Sequence, residues 1–319
     1  MKEQPLIQVN NLKKYFKVGS KSILKAVDDI SFSIEKGQTL GMVGESGCGK
    51  TTVGRTLLKL YEPDGGEILF KGKNIAHCTK AERKQLTREM QMIFQDPYAS
   101  LSAFKTVGDI IGEGLDIHRI YKKREDRQDR IYELLEMVGL HREYYNRFPH
   151  EFSGGQRQRI GIARALALKP EFIVCDEAIS ALDVSIQAQV MNMLIKFQKE
   201  MDLTYLFISH DLSMVRHISD KIAVMYLGTM VEYGEMEEVY RHPVHPYTQG
   251  LLEAVPIADP DYEREHPHKV MSGEVPSPVN PKPGCRFCGR CPRATDICRQ
   301  QMPPLKTIGT GHMAACHNL

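Results

Sequence analysis

The segment GESGCGKT, at residues 44–51, decides the fold that this sequence predicts. It has the spacing G-x-x-x-x-G-K-[ST], in which glycines let backbone N–H groups curve around phosphate oxygens. The apolar run before it predicts a strand, and residues 52–60 predict a helix whose N-terminus adds partial positive charge. Lys50 is expected to reach the β- and γ-phosphates, and Thr51 to offer its hydroxyl to Mg²⁺. The segment therefore predicts a nucleoside triphosphate site on an α/β fold of the P-loop class.

The α/β pattern extends over residues 6–253, where short β-rich apolar runs alternate with amphipathic stretches. Runs at 39–43, 172–176 and 205–209 predict strands, and apolar residues four apart predict a helix over 185–201. This alternation is typical of a mostly parallel sheet covered by helices.

The composition is that of an ordinary globular chain and limits the classes of partner. Of 319 residues, 42% are hydrophobic and 26% are charged, which excludes a disordered chain or a coiled coil. Lys and Arg number 42 against 40 for Asp and Glu, so no overall basic field predicts binding to nucleic acid. The sequence has no secretory signal and no apolar run long enough to span a bilayer, so we expect a cytosolic chain.

A second segment, IVCDE at residues 173–177, supplies the acidic groups that a nucleotide hydrolase requires. It ends an apolar run, so both carboxylates are predicted to lie at the end of a strand. We expect Asp176 to hold Mg²⁺ through its water shell and Glu177 to polarise the water that attacks the γ-phosphate. Together with residues 44–51, this pair predicts hydrolysis as well as binding.

Four further motifs resemble those of one family, the ATP-binding-cassette (ABC) ATPases. Gln95, in the sequence MIFQDP, resembles the Q-loop glutamine, and FSGGQ at residues 152–156 resembles the signature motif. SALD at residues 180–183 resembles the D-loop, and His210, after an apolar run, resembles the switch histidine. The order and spacing match an ABC-type nucleotide-binding domain.

The resemblance implies that ATP is hydrolysed between two subunits. Ser153 and the glycine amides beside it would bind the γ-phosphate of ATP held by the phosphate loop of another subunit. His210 would contact the γ-phosphate, while Gln95 would sense Mg²⁺ and pass closure to a permease. Phe16, or its neighbour Tyr15, would stack on adenine.

These roles define four sets of candidate residues. The implied ATP-binding residues of this subunit are Phe16, Gly44, Glu45, Ser46, Gly47, Cys48, Gly49, Lys50, Thr51, Thr52, Gln95 and Asp176. Those implied to act on Mg²⁺ are Thr51, Gln95 and Asp176, and the catalytic pair is Glu177 and His210. The residues that would face the ATP of the other subunit are Ser153, Gly154, Gly155, Gln156 and, in the D-loop, Asp183.

Other segments narrow the resemblance to the ATPase subunits of bacterial oligopeptide and dipeptide permeases. They are QMIFQDP from residue 91, PHEFSGGQ from residue 149, HPYT from residue 245 and GEVPSP from residue 273. The sequence resembles the second of the two unlike ATPase subunits of such permeases. The resemblance implies a non-identical ATPase partner, two transmembrane permease subunits and, indirectly, an extracytoplasmic peptide-binding protein. It also implies a peripheral position on the cytoplasmic face of the membrane.

The sequence departs from the family pattern in three places. Ala178 stands where the family usually has proline, and residues 102–104, Ser-Ala-Phe, replace the usual Asn-Pro-Arg. Phe152 replaces the signature leucine, as is common in the peptide-permease subfamily. We expect the first change to loosen the turn at Glu177 and the second to alter the surface that faces the permease.

The chain changes character after residue 253, where prolines become frequent and five of the eight cysteines fall within 285–316. We therefore predict a nucleotide-binding domain over 1–253, with a helical subdomain at about 96–170, and a small Cys-rich domain over 254–319.

Four thiolates from one loop-rich segment suit a tetrahedral metal ion or an iron-sulfur cluster. The candidate ligands are Cys285, Cys291, Cys298 and Cys316, and Cys288 is an additional thiol. The resemblance favours a 4Fe-4S cluster, while Zn²⁺ and unligated thiols remain alternatives. We expect the cluster to fix the fold of residues after about 270 and to leave the nucleotide site chemically untouched.

Two other classes of function share the nucleotide motifs. ABC-type ATPases of DNA repair and ribosome-associated work act without a permease, but they usually insert a long coiled coil or carry tandem cassettes, which this sequence lacks. A regulatory protein that uses ATP only structurally is disfavoured because Lys50, Glu177 and His210 are all present.

Overall fold

The computed structural model describes residues 4–180, 182–255 and 273–319. The chain divides into two units, one made of Met1–Ala76 and Phe207–Leu319 and the other of His77–Leu206. Strands and helices alternate through both, so the predicted α/β class is confirmed.

The described residues contain twelve strands and eleven α-helices. The strands are β1 Ile7–Lys17, β2 Ile23–Ile34, β3 Thr39–Val43, β4 Gly65–Phe70, β5 Lys73–Asn74, β6 Met90–Ile93, β7 Phe172–Asp176, β8 Thr204–Ile208, β9 Lys221–Tyr226, β10 Thr229–Glu235, β11 Lys306–Gly309 and β12 His312–Ala314. The helices are α1 Lys50–Leu57, α2 Lys80–Glu89, α3 Pro97–Ser100, α4 Val107–Ile117, α5 Arg124–Met137, α6 Gly154–Leu166, α7 Val184–Met201, α8 Leu212–Ile218, α9 Met236–Arg241, α10 Pro246–Glu253 and α11 Asp296–Gln300. Two 3₁₀ turns, Arg142–Asn146 and Pro149–Glu151, precede α6.

The first unit contains an antiparallel sheet in the order β2-β1-β4-β5. Ile7 of β1 lies opposite Ile34 of β2 on one side and Phe70 of β4 on the other. All three side chains are buried, because the alternation of apolar and polar residues places one face of each strand in the core.

A second set of strands in the first unit runs in the order β11-β12-β10-β9-β3. Strands β3 and β9 are parallel, with Leu40 beside Lys221, and the other neighbours are antiparallel. Every residue of β3 is buried, as expected for a strand with both faces covered. Helix α8 packs on β3, so the strand that leads into the phosphate loop lies deep in this unit.

In the second unit β6 and β7 are parallel, with Met90 beside Phe172, and β8 follows next to β7. Every residue of β7 is buried, because this strand is a continuous apolar run ending in a carboxylate. Helix α4 packs against α5 and α6, and Thr106 begins α4 by accepting a hydrogen bond from the backbone N–H of Asp109. The predicted strand over 172–176 and the predicted helix over 185–201 are confirmed, the helix starting one residue earlier.

The C-terminal segment, residues 273–319, is part of the first unit and packs within it. Strand β12 pairs with β10, so that Tyr233 lies opposite Met313. Phe287 is buried, with its ring centroid 5.2 Å from that of Tyr226 and 5.4 Å from that of Tyr247. The segment therefore shares the apolar core of this unit. No helix among the described ranges is long and apolar enough to cross a membrane.

His245 is a buried titratable residue at the junction of this core. Its Nδ1 accepts a hydrogen bond from the backbone N–H of Tyr247 at 3.1 Å, which begins α10. Its ring centroid lies 5.7 Å from that of Phe287. Burial, with a smaller effect of the Arg293 charge, lowers the pKa of His245 to about 4. The folded chain therefore holds this imidazole neutral.

We predict that His245 makes stability depend on pH between about 6.5 and 4. In that window the unfolded chain binds more protons, so the free energy of unfolding falls as pH falls, by about 3 kcal/mol in total. His245→Asn keeps a helix-capping acceptor but removes the titration, so its free energy of unfolding in urea should lose that part of the slope. His242→Asn, at an exposed position three residues earlier, is the control. Equal slopes in wild type and His245→Asn would contradict the assignment.

Candidate functional site

The predicted phosphate loop connects β3 to α1 in the first unit, and its glycines have positive φ angles. The values are +149° at Gly44, +77° at Gly47 and +108° at Gly49. A Cβ at Gly44 would lie 2.2 Å from the carbonyl oxygen of Met225, and one at Gly49 would lie 2.1 Å from that of Ala26. Only glycine fits at these two positions, so the loop backbone presses directly against strands β9 and β2.

Lys50 begins α1 and bends back over the loop. Its side chain is buried, with 5% of the residue exposed, and its ammonium donates to the carbonyl oxygens of Gly44 at 2.6 Å and Glu45 at 3.0 Å. Cys48 is also buried, and burial raises the pKa of its thiol, which stays neutral. The lysine is thus placed where phosphates bound by the loop N–H groups would lie, and Cys48 fills space beneath it.

Two aromatic residues of β1 were candidates for stacking on adenine. The hydroxyl of Tyr15 donates to Asp28 at 2.5 Å, and burial together with this hydrogen bond raises the pKa of Tyr15. Phe16 is half-buried and meets the ring of Tyr61 edge-on, with centroids 5.4 Å apart. Because the Tyr15 side chain is held by its hydrogen bond to Asp28, Phe16 is the better candidate for stacking on adenine.

His210 follows β8 and is exposed in the first unit. In the preceding residue of the chain, Ser209, the backbone N–H donates to the carbonyl oxygen of Met42 in β3 at 3.2 Å. The following residue, Asp211, accepts from the backbone N–H of Ser213 at 2.8 Å and begins α8. The backbone around His210 is therefore fixed by hydrogen bonds while its ring stays accessible.

The second unit brings together two of the predicted residues, Gln95 and Glu177. The side-chain Nε2 of Gln95 donates to Oε2 of Glu177 at 2.7 Å. Glu177 has a φ angle of +46°, which is uncommon for residues other than glycine, and it follows Asp176, which is 2% exposed at the end of β7. A left-handed residue directly after a buried strand turns the Glu177 carboxylate towards the Q-loop, where the amide of Gln95 orients it.

The turn after Glu177 is closed although Ala178 replaces proline. The carbonyl oxygen of Glu177 accepts hydrogen bonds from the backbone N–H of Ser180 at 3.2 Å and from the Ser180 hydroxyl at 3.0 Å. The side chain of Gln187 donates to the carbonyl oxygen of Ile179 at 3.1 Å. These hydrogen bonds close the turn without proline, and the expectation that Ala178 loosens it stays a prediction.

The signature motif forms the N-terminus of α6. The hydroxyl oxygen of Ser153 accepts from the backbone N–H of Gln156 at 3.3 Å, and Oε1 of Gln156 accepts from the backbone N–H of Ser153 at 3.1 Å. This reciprocal pair is a capping box. Beside it lies a cavity of about 250 Å³ lined by Ser153, Gly155, Gln156, Arg159 and Ile186 among others. The positive end of the helix dipole therefore faces an open surface, as an anion site requires.

The D-loop residue Asp183 is exposed and precedes α7. Its backbone carbonyl accepts from the N–H groups of Ile186 and Gln187, each at 2.9 Å, while Val184 is 79% exposed. Ala181, in the same motif, lies outside the described residues. The Asp183 carboxylate and the Val184 side chain therefore both lie at the surface of this unit.

The C-terminal thiols influence one another without forming a ligand set. Burial, and to a smaller extent the nearby thiols of Cys288, Cys298 and Cys291, raises the pKa of Cys285 to about 11. Burial also raises the pKa of Cys291, with smaller effects of Cys316 and Cys298. In the part of the chain that the structure describes, no group of three or more His, Cys, Asp or Glu side chains is arranged to hold a metal ion. The predicted cluster geometry is therefore not present in this conformation.

The C-terminal segment contacts the phosphate loop, which was not expected from the sequence. Nη1 of Arg290 lies 3.0 Å from each carboxylate oxygen of Glu45, the second residue of the phosphate loop. The hydroxyl of Tyr247 accepts from the backbone N–H of Glu45 at 2.9 Å. Sequence reasoning missed these contacts because an arginine among cysteines carries no local signal of a distant partner.

The fold and these motifs together define an ABC-type ATPase cassette. Residues 27–180 match the family model for the ABC transporter, and residues 231–298 match the model for the oligopeptide/dipeptide transporter, C-terminal region. The dimeric structure of the ATP-binding cassette MJ0796 in a post-hydrolysis state bound to ADP and Pi is similar, with a TM-score of 0.66 and 27% identity. It covers 72% of this chain and 98% of that one.

Two Bacillus subtilis (strain 168) proteins are similar over most of their length. The chain is 54% identical to the putative oligopeptide transport ATP-binding protein YkfD, covering 99% of this chain and 96% of the relative. It is 57% identical to the oligopeptide transport ATP-binding protein OppF, covering 88% of this chain and 95% of the relative. The chain therefore belongs to the family of oligopeptide-type ABC transporter ATP-binding proteins, and it is an ATPase.

Proposed function

We propose that this chain powers the import of oligopeptides or dipeptides through a membrane permease. The observation that carries the proposal is the identity of more than half of its residues with YkfD, across both the cassette and the C-terminal segment. In this proposal the chain sits at the cytoplasmic face of the membrane, with two transmembrane subunits. A non-identical ATPase subunit and an extracytoplasmic peptide-binding protein complete the system.

For the chemical step we propose roles for residues on each unit. Lys50 and the loop N–H groups hold the β- and γ-phosphates, and Mg²⁺, which neutralises charge on the leaving phosphate, is held by Thr51 and Asp176. Glu177 accepts the proton of the attacking water, with its carboxylate oriented by Gln95. His210 stabilises the γ-phosphate, and Phe16 stacks on adenine. This assignment is supported by the buried Lys50 and by the 2.7 Å hydrogen bond from Gln95 to Glu177.

We propose that a second subunit receives the signature face of this one. Ser153, Gly154, Gly155, Gln156 and Asp183 are the residues that would approach its ATP. The hydroxyl oxygen of Ser153 accepts a hydrogen bond within the capping box, which leaves the hydroxyl proton available for a phosphate oxygen. Asp183 is exposed, so it is accessible to a second subunit.

The domain division at residue 253 and the helical subdomain at about 96–170 remain proposals. We propose further that Cys285, Cys291, Cys298 and Cys316 are the ligands of a 4Fe-4S cluster, with Zn²⁺ as the alternative. Two contacts support this: the backbone N–H of Cys285 donates to the carbonyl oxygen of Cys298 at 2.8 Å, and Asn318 contacts the sulfurs of Cys316 at 3.4 Å and Cys298 at 4.0 Å. Metal binding would have to draw the four thiols inward and remove their protons.

Replacement of the proposed base tests the chemical step. Glu177→Gln keeps the shape of the side chain and its contact with Gln95, but it cannot accept a proton. In the assembled transporter we predict that ATP turnover falls by about two to four powers of ten while ATP still binds. Glu200→Gln, on the exposed surface of α7, is the control and should retain wild-type turnover. Near-normal hydrolysis by Glu177→Gln would rule out this role.

Metal analysis tests the cysteine proposal. Protein purified without oxygen should be brown, with about four iron and four acid-labile sulfide per chain. Cys291→Ser should lose the iron, whereas Cys288→Ser should keep it. A finding of one zinc and no iron per chain would show that the bound metal is Zn²⁺ and not a 4Fe-4S cluster. Loss of metal from Cys288→Ser with retention in Cys291→Ser would overturn the ligand set, and protein without either metal would overturn the site.

A further inference from the structure

The C-terminal loop at residues 285–291 is held by backbone hydrogen bonds and contacts the phosphate loop through Arg290. The backbone N–H of Cys288 donates to the carbonyl oxygen of Cys285 at 3.1 Å, and that of Arg290 donates to the carbonyl oxygen of Phe287 at 2.9 Å. Two successive turns therefore fix the direction in which the side chains of this loop leave the backbone. Phe287 anchors the loop in the core between the rings of Tyr226 and Tyr247.

Two arginines of this loop form ion pairs with the nucleotide-binding part of the first unit. Nη2 of Arg286 lies 2.6 Å from Oδ2 of Asp28, the residue that also binds the hydroxyl of Tyr15. Arg290 contacts both carboxylate oxygens of Glu45, and the Tyr226 hydroxyl lies 3.3 Å from the same nitrogen. The Arg290 side chain is 7% exposed and that of Glu45 is 25% exposed, so water screens this pair less than a surface pair.

Glu45 is held from the phosphate-loop side as well. Its backbone N–H donates to the Tyr247 hydroxyl, and its carbonyl oxygen accepts from the Lys50 ammonium at 3.0 Å. The backbone of Glu45 is therefore fixed within the phosphate loop beside Lys50, while its carboxylate pairs with the arginine of the C-terminal loop. Without a counter-ion, this carboxylate would repel a triphosphate entering the loop.

We propose that Arg290 is a positioning residue for ATP, which neutralises Glu45 and so lets the C-terminal loop set the affinity of the phosphate loop. The inference rests on ATP binding at residues 44–51. It gives the C-terminal segment of this family member a direct electrostatic effect on the nucleotide.

The experiment measures the Kd of the full-length chain for the Mg²⁺ complex of AMP-PNP, a non-hydrolysable ATP analogue, and the kcat of the assembled transporter at saturating ATP. Arg290→Met exposes an unneutralised carboxylate beside the phosphates, and we predict a rise in Kd of about tenfold with kcat within about twofold of wild type. Arg290→Lys should have a Kd within about threefold of the wild-type value. A single arginine nitrogen contacts both carboxylate oxygens of Glu45, and a lysine ammonium can take its place.

Changes at Glu45 separate charge neutralisation from a structural role. Because Glu45→Gln removes the repelling charge and leaves the C-terminal loop in place, its Kd should be no weaker than that of wild type. Glu45→Gln combined with Arg290→Met should return Kd to within about threefold of wild type. The control is Arg293→Met, an exposed arginine of the same segment that donates to Gln249 at 2.8 Å, and it should leave Kd unchanged.

Three results would overturn the inference: an unchanged Kd in Arg290→Met, an equal rise in Arg293→Met, or a Kd raised as much by Glu45→Gln as by Arg290→Met. If Arg290→Met does not fold, the sign of the Glu45→Gln effect still decides the question. Failure of the wild-type chain to bind the analogue would instead refute the nucleotide site itself.

Discussion

The close approach of the phosphate loop to two strands is the constraint on which the rest of the site depends. Gly44 and Gly49 leave no room for a side chain against the backbone of Met225 and Ala26. The loop is therefore fixed to β9 and β2, and the Lys50 ammonium is held against its carbonyl oxygens. A site whose donors are fixed in advance loses little conformational entropy on binding.

The second unit prepares its catalytic groups by a different means, through side-chain hydrogen bonds. Gln95 orients the Glu177 carboxylate, and the two hydrogen bonds from Ser180 hold the turn that presents it. The capping box of α6 uses Ser153 and Gln156 to begin the helix, which leaves its dipole directed outwards. In both places a residue that stabilises the local fold also serves the proposed chemistry.

The sequence alone predicted those structural features that depend on residues close together in the chain. Strands at 39–43 and 172–176 have the predicted bounds because an apolar run ending in a glycine or a carboxylate marks a buried strand next to a site. Contacts between distant residues were not predictable. Gln95 and Glu177 are 82 residues apart and Arg290 and Glu45 are 245 residues apart, and neither pair has a periodic or spacing signal. The cysteines illustrate the limit, because their spacing suits a metal whereas the described side chains are not arranged to hold one.

Equilibrium binding of Mg²⁺–ATP to the Gly49→Ala variant tests the central constraint most directly. The added methyl would lie 2.1 Å from the carbonyl oxygen of Ala26, so the loop must move. The account predicts that affinity for Mg²⁺–ATP falls by more than about a hundredfold, or roughly 3 kcal/mol. Gly47→Ala also places alanine at a positive φ angle, but at a less strained value, and its methyl would meet nothing within 4 Å, so it should weaken binding far less. Wild-type affinity in Gly49→Ala would contradict the account.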